Sequence, residues 1–140
     1  MEAEKTSIEN CQVVDLPKIH NPAGNITPII GEVDLPFAIE RVYYLYDVPG
    51  GETRGGHAHK HLQQYLVAAG GSFDVVLFDG KDKKTISLNR PYFALHIVPG
   101  IWRELKNFSS GSICLVLASH KYEESDYIRD IHEFRNFKKL

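Results

Sequence analysis

The chain has 140 residues, about the length of one average domain, and a single domain spanning residues 1–140 around one core is expected. Lys and Arg number 16 against 18 Asp and Glu, giving a net charge of −2; this excludes the broad positive field of a general nucleic-acid or anionic-membrane binder. The first twenty residues lack the basic start and apolar stretch of a signal peptide, and the longest aliphatic run, Ile113 to Ala118, is far too short to span a bilayer. A cytoplasmic location follows as an expectation.

Hydrophobic period is mostly two, in short segments punctuated by Gly, Pro, Asn and Asp, which is an all-β pattern. In chain order the predicted strands run from Cys11 to Leu16, Ile26 to Gly31, Ile39 to Asp47, His59 to Ala69, Ser72 to Asp79, Lys84 to Leu88, Tyr92 to Val98, Arg103 to Asn107 and Ser112 to Ser119. Between the first two lies the turn-rich segment Asn21 to Pro28. Gly70-Gly71 and Asp79-Gly80 supply the backbone angles of tight turns, while Pro91 and Pro99 cannot donate within a ladder. After Glu123, Glu124 and Asp126, the spacing of Tyr127, Ile128, Ile131 and Phe134 predicts one or two helical turns packed outside a sandwich or barrel. Cys11 and Cys114 sit in separate apolar runs and read as buried thiols, not as a disulfide.

The richest stretch chemically is GGHAHKHLQQYLVAAGG, Gly55 to Gly71. In one continuous strand, His57, His59, His61, Gln63 and Tyr65 share a face. Two imidazoles at i and i+2 can hold a metal if a carboxylate and a third histidine join them. Without a metal, imidazoles with ordinary pKa values near 6.5 can hold and accept protons at neutral pH. The chain has no Walker loop, dinucleotide fingerprint or nucleophile elbow. Its GGETRGG run precedes a strand and so lacks a helix dipole for phosphate. Proton relocation beside a carbonyl fits these groups: isomerisation, epimerisation and some eliminations all remain open.

The spacing resembles the two signature motifs of the cupin superfamily. His57, His59 and Gly70 match the first motif, with Gln63 in place of its Glu; Gly100 and Asn107 match the second, with Arg103 in place of its His. The resemblance implies a jelly-roll β-barrel. Gln63 offers no anionic oxygen and Arg103 brings a fixed positive charge, so no metal is expected. From Pro36 to Lys138 the chain is also similar to the sugar 3,4-ketoisomerases, the WxcM-like metal-independent cupins. That likeness rests on PFAIERVYYLYDVPGGETRGGHAHKHLQQYLV, VPGIWRELKNFSSGSICLVLAS and YEESDYIRDIHEFRNFKK.

This second resemblance implies an isomerase that needs no cofactor. It would move the keto group of thymidine-diphosphate-linked 4-keto-6-deoxyglucose from C4 to C3, supplying amino sugars for bacterial surface polysaccharides. His57 matches the family base that works on carbon, His59 the partner that moves a proton between oxygens, and Tyr43 an active-site tyrosine. Arg54 matches a family arginine, and Gln63 and Arg103 are expected to line the cavity. The resemblance further implies a homodimer in which N-terminal strands, about residues 11–31, are exchanged. Tyr44, Tyr46 and Trp102 are read as packing residues, His61 as a rim residue, and Arg41 and Arg90 as surface partners of carboxylates. His20, His96, His120 and His132 receive no role. A 3,5-epimerase-type cupin and a non-catalytic sugar-binding cupin are the alternatives.

Overall fold

A computed structural model describes residues 2–139. Its elements are β1 (Gln12–Asp15), β2 (Arg41–Leu45), β3 (Arg54–His59), β4 (Gln64–Gly70), β5 (Phe73–Phe78), β6 (Lys83–Leu88), β7 (Phe93–Ile97), β8 (Trp102–Lys106), β9 (Ile113–Ala118), β10 (Tyr127–Ile128) and α1 (Ile131–Lys138). Two five-stranded sheets form, with orders β1-β7-β4-β9-β2 and β10-β3-β8-β5-β6. The pairings are antiparallel throughout. This is the all-β jelly-roll sandwich the sequence predicts, with the short C-terminal helix outside it.

Period-two alternation builds the core. Along β5, Phe73, Val75 and Leu77 are buried while Asp74, Val76 and Phe78 face out. The inward set meets Leu66 and Ala68 of β4, Leu95 and Ile97 of β7, Leu105 of β8, and Cys114 and Val116 of β9. Burying each large aliphatic side chain stabilises the fold by about 1.5–3 kcal/mol. Each sheet also has a covered outer face. Leu16, Leu35 and Phe37 close over Tyr65, Val67, Ala94 and Leu117, and Phe134 of α1 packs on Ala58, Trp102 and Ile128. Asp130 caps α1 by accepting from the Glu133 amide. Cys11 and Cys114 are buried free thiols, as expected.

Three expectations need correction. The segment Ile26 to Gly31 forms no strand: only isolated bridges join Ile19 to Ile26 and Gly31 to Leu35, because Pro28 cannot donate and Ile26 and Ile30 are exposed with no sheet face to join. The predicted strand His59 to Ala69 is two strands, since the chain turns at residues 60–63 and passes from one sheet to the other. Tyr44 and Tyr46 are exposed on the outer side of the edge strand β2 and its extension, touching each other instead of packing into a core.

Candidate active site

The sandwich is closed along the side of β7, β5 and β6 and open between the edge strand β2 and the pair β3/β10. A cavity of about 580 Å³ lies in the open side. Inward positions of facing strands line it: Arg41, Tyr43 and Leu45 from β2, Gln64 and Leu66 from β4, Arg103 and Leu105 from β8, and Val116 from β9. On β3, Arg54 pairs with Leu105 and His57 with Arg103, so three steps along β3 match two along β8. That β-bulge at Gly55-Gly56 turns Arg54 and His57 to the same side although an odd number separates them. Gly55 takes φ +82°, and a Cβ there would meet Leu105 Cδ1 at 2.8 Å. Only glycine serves at that position.

His57 and His59 stay on one face, as predicted, with Ala58 turned to the outer cluster. Their rings meet edge to face with centroids 4.8 Å apart. The Tyr127 ring lies 5.0 Å from His57 and 4.4 Å from His59. His57 lines the cavity, and His59 is fully enclosed behind it. The Nε2 atoms of both are buried without a hydrogen-bond partner among the described residues. Burial holds the His57 pKa down at about 2, with Arg103 and His59 adding to the effect. Burial also lowers His59, to about 4, against the opposing pull of its hydrogen bond with Asp126. Both imidazoles are therefore neutral at physiological pH and able to accept a proton.

Arg103 is 1% exposed. Its Nε and Nη2 donate to the Ile101 carbonyl at 3.2 and 3.1 Å, and its Nη1 donates to Gln64 Oε1 at 2.7 Å. No carboxylate lies within ion-pair reach of it among the described residues. Burial lowers its pKa only to about 10, so it stays a cation. Gln64 Nε2 in turn donates to the Tyr43 hydroxyl at 3.3 Å, which leaves the Tyr43 O–H free to donate into the cavity. At the mouth, the Arg41 guanidinium lies 4.8 Å from the Tyr43 ring centre and donates to the Tyr127 hydroxyl. Arg129 stacks 4.1 Å over the Tyr127 ring and is paired with Glu124.

The structure thus brings together His57, His59, Tyr43, Arg54 and Arg103. It does not bring Gln63. That side chain points to the outer face, where its Oε1 accepts from His96 Nε2 at 2.8 Å, whereas its neighbour Gln64 occupies the inner position. His61 is exposed, and the segment Asn21–Pro28 lies away from the cavity lining of its own chain. Arg41 faces the cavity instead of a surface carboxylate. Sequence reasoning also missed Asp126, Tyr127 and Arg129. The alternation of Tyr127 and Arg129 about the buried Ile128 was the available signal, but it is only two strand residues long.

With this geometry in hand, the comparisons with known proteins are specific. A family profile described as FdtA, WxcM-like, C-terminal, matches residues 9–139. The chain belongs to this family. It is 43% identical over 128 residues to the TDP-4-oxo-6-deoxy-alpha-D-glucose-3,4-oxoisomerase of Aneurinibacillus thermoaerophilus, covering 91% of this chain and 90% of that protein. The sugar 3,4-ketoisomerase QdtA of Thermoanaerobacterium thermosaccharolyticum, solved with TDP, superposes with a TM-score of 0.91 at 40% identity, covering 93% of this chain and 95% of QdtA. The WlaRB TDP-quinovose 3,4-ketoisomerase of Campylobacter jejuni gives 0.88 at 43% identity, covering 92% and 99%. Like these WxcM-like relatives, this chain is an isomerase of the 3,4-ketoisomerase type.

Proposed function

We propose that this chain converts TDP-linked 4-keto-6-deoxyglucose to the 3-keto sugar. The observation that carries this reading is the pair of neutral, neighbouring imidazoles beside a buried cation, at the inner end of a cavity whose mouth holds Arg41, Arg54 and Arg129. A diphosphate suits the arginines at the mouth, and the keto sugar then lies against His57. His57 takes the proton from C3; the electron pair forms the C3–C4 double bond of an enediolate, and charge develops on O4. Arg103 and the Tyr43 hydroxyl stabilise that charge. A proton returned to C4 completes the carbon transfer. O3 loses its proton as it becomes the ketone and O4 gains one, a relay assigned to His59. Each imidazole contributes on the order of 10²- to 10⁴-fold. The steps as written are proton transfers that these side chains perform without an added electron carrier. Gln64 takes the cavity-lining place expected of Gln63.

The same reading makes residues 1–140 one domain and the active species a homodimer that exchanges N-terminal segments. Its support is apolar surface on the N-terminal arm: Ile19, Ile26, Ile30 and Val33 are all more than half exposed. A nucleotide-sugar substrate and buried free thiols suit the cytoplasm, and among the described residues no helix is long and apolar enough to cross a membrane. The product belongs to deoxy-amino-sugar synthesis for surface polysaccharides such as O-antigen or S-layer glycans.

NMR in deuterated water with TDP-4-keto-6-deoxyglucose tests the reaction. The expected result is a carbonyl that moves to C3 with solvent deuterium at C4. A carbonyl that stays at C4 while deuterium enters C3 or C5 overturns the reading in favour of an epimerase. An unchanged ligand that nonetheless binds reduces the protein to a sugar-binding cupin.

A further inference from the structure

We infer that Asp126 is the positioning residue that fixes His59 as the tautomer protonated at Nδ1, leaving Nε2 as its proton-accepting atom. This deepens the proposed reaction and rests on it for the catalytic consequence, though the tautomer itself is a property of the free protein. Asp126 stands in the short turn before β10, and DIRECT contact with β3 follows because Tyr127 pairs with His59. Its Oδ2 lies 3.1 Å from His59 Nδ1. The same carboxylate accepts the His61 amide at Oδ1, 2.7 Å away, and the Leu62 amide at Oδ2, 3.2 Å away.

Chemistry fixes the direction of the histidine bond. A carboxylate only accepts, so Nδ1 must carry the hydrogen. In a neutral imidazole the other nitrogen is then a lone pair. That nitrogen is enclosed, has no partner among the described residues, and sits beside the rings of His57 and Tyr127. An unpartnered buried acceptor costs stability, and here it lies next to the cavity where the proposed proton relay ends. The carboxylate stays ionised: against the upward push of burial, the bonds from His59 and from the amides of His61 and Leu62 hold its pKa at about 2.

The carboxylate also fastens the turn at residues 60–63, so a purely structural role must be separable. Asp126→Asn separates the two. Its Oδ1 keeps the shorter turn bond, from the His61 amide, at the loss of the longer one from Leu62, while an N–H now faces His59 Nδ1 and forces the proton onto Nε2. The imidazole would then be a donor where the relay needs an acceptor. In the wild-type protein, ¹⁵N NMR of the histidine side chains should show His59 as the Nδ1–H tautomer at neutral pH. Asp126→Asn should show Nε2–H, with kcat down about 100-fold or more and with TDP binding unchanged. The charged and titratable groups around His59 are His57 on β3, Arg103 on β8, Arg41 on β2, and Asp126 and Tyr127 beside β10. Because Asp126 raises the His59 pKa while Arg103 and Arg41 lower it, the acid limb of kcat should move to lower pH in the variant. A turn-holding role predicts none of these: it predicts lost stability with an unmoved tautomer.

The inference is overturned if wild-type His59 is the Nε2–H tautomer, a result that needs no variant to fold. It is equally overturned if Asp126→Asn switches the tautomer and keeps wild-type kcat. Absence of ketoisomerisation by the wild-type protein defeats the proposed function and leaves the tautomer assignment to stand or fall on its own spectrum.

Discussion

The two sides of this sandwich are opposite ends of the same two sheets and do opposite things. Along the β2, β9, β4 and β7 sheet, one cross-strand row reads Arg41, Ala118, Gln64, Ile97 and the next reads Tyr43, Val116, Leu66, Leu95. Each row starts with a polar residue at the open edge, β2, and ends with an apolar one at β7 on the closed side. The facing sheet repeats the gradient, from His57 through Arg103 to Leu77. Stability therefore resides on the closed side and chemistry on the open side, and the open side carries the groups that a folding chain would sooner leave in water: a buried guanidinium and two unpartnered imidazole nitrogens.

The strongest way to break this contrast is a matched pair of variants. His57→Asn should cut isomerisation on the order of 10²- to 10⁴-fold while leaving the urea midpoint unchanged or slightly raised, because it removes an unpartnered buried nitrogen. Phe73→Ala, on the closed side where Phe73 is 1% exposed and stacks on Phe108, should cost about 3–5 kcal/mol of stability. Its turnover per folded molecule should match wild type. If His57→Asn unfolds the protein, or Phe73→Ala abolishes turnover while folded, the division of labour is wrong.

Much of this was legible in the sequence, because alternation is a local property. FDVVLF reads directly as β5, and Asp79-Gly80 as the turn to β6. His57 and His59 share a face by spacing alone, and ordered similarity along most of the chain carried the family. What escaped depends on partners distant in sequence. HKHLQQ alternates well enough to read as strand, yet Asp126 and the Ser119 hydroxyl bind the amides at 61–63 and turn the chain there. Once the strand is broken, the inward phase restarts at Gln64 and Gln63 falls outside; one residue of register exchanges the faces. The Gly55-Gly56 bulge likewise puts Arg54 on the cavity side, a placement that spacing by two denies.

Acid sharpens the comparison further, since only the open side titrates with a large penalty. The folded chain holds His59 near pKa 4, whereas the unfolded chain protonates it near pKa 6.5. Below about pH 6.5 the unfolded state thus binds more protons, and stability falls as pH drops toward 4. A depression of this size corresponds to roughly 3 kcal/mol. His57, lowered to about 2, adds an equal slope from about pH 6.5 and carries the loss on below pH 4, and Asp126, depressed to about 2, adds its own loss below about pH 4. Urea denaturation between pH 7 and 4 should show this slope, and His59→Asn should cut it to about half, leaving the share of His57. An equal slope in that variant would place the acid sensitivity elsewhere.

The smallest expected effect lies at the rim, where the open side meets solvent. Arg129 is half exposed and shares its charge with Glu124, so water and salt screen its attraction for a diphosphate. Arg129→Ala should weaken TDP binding by only about 3- to 10-fold, the range expected for one exposed charge-assisted contact. The loss should shrink as salt is raised from 50 to 300 mM, on the order of the change that brings the Debye length well inside the cavity mouth. A salt-independent loss would mean that Arg129 acts by holding the Tyr127 ring over the two histidines. In that case the rim belongs to the buried chemistry, and the polar gradient begins one residue further out than the sheet rows suggest.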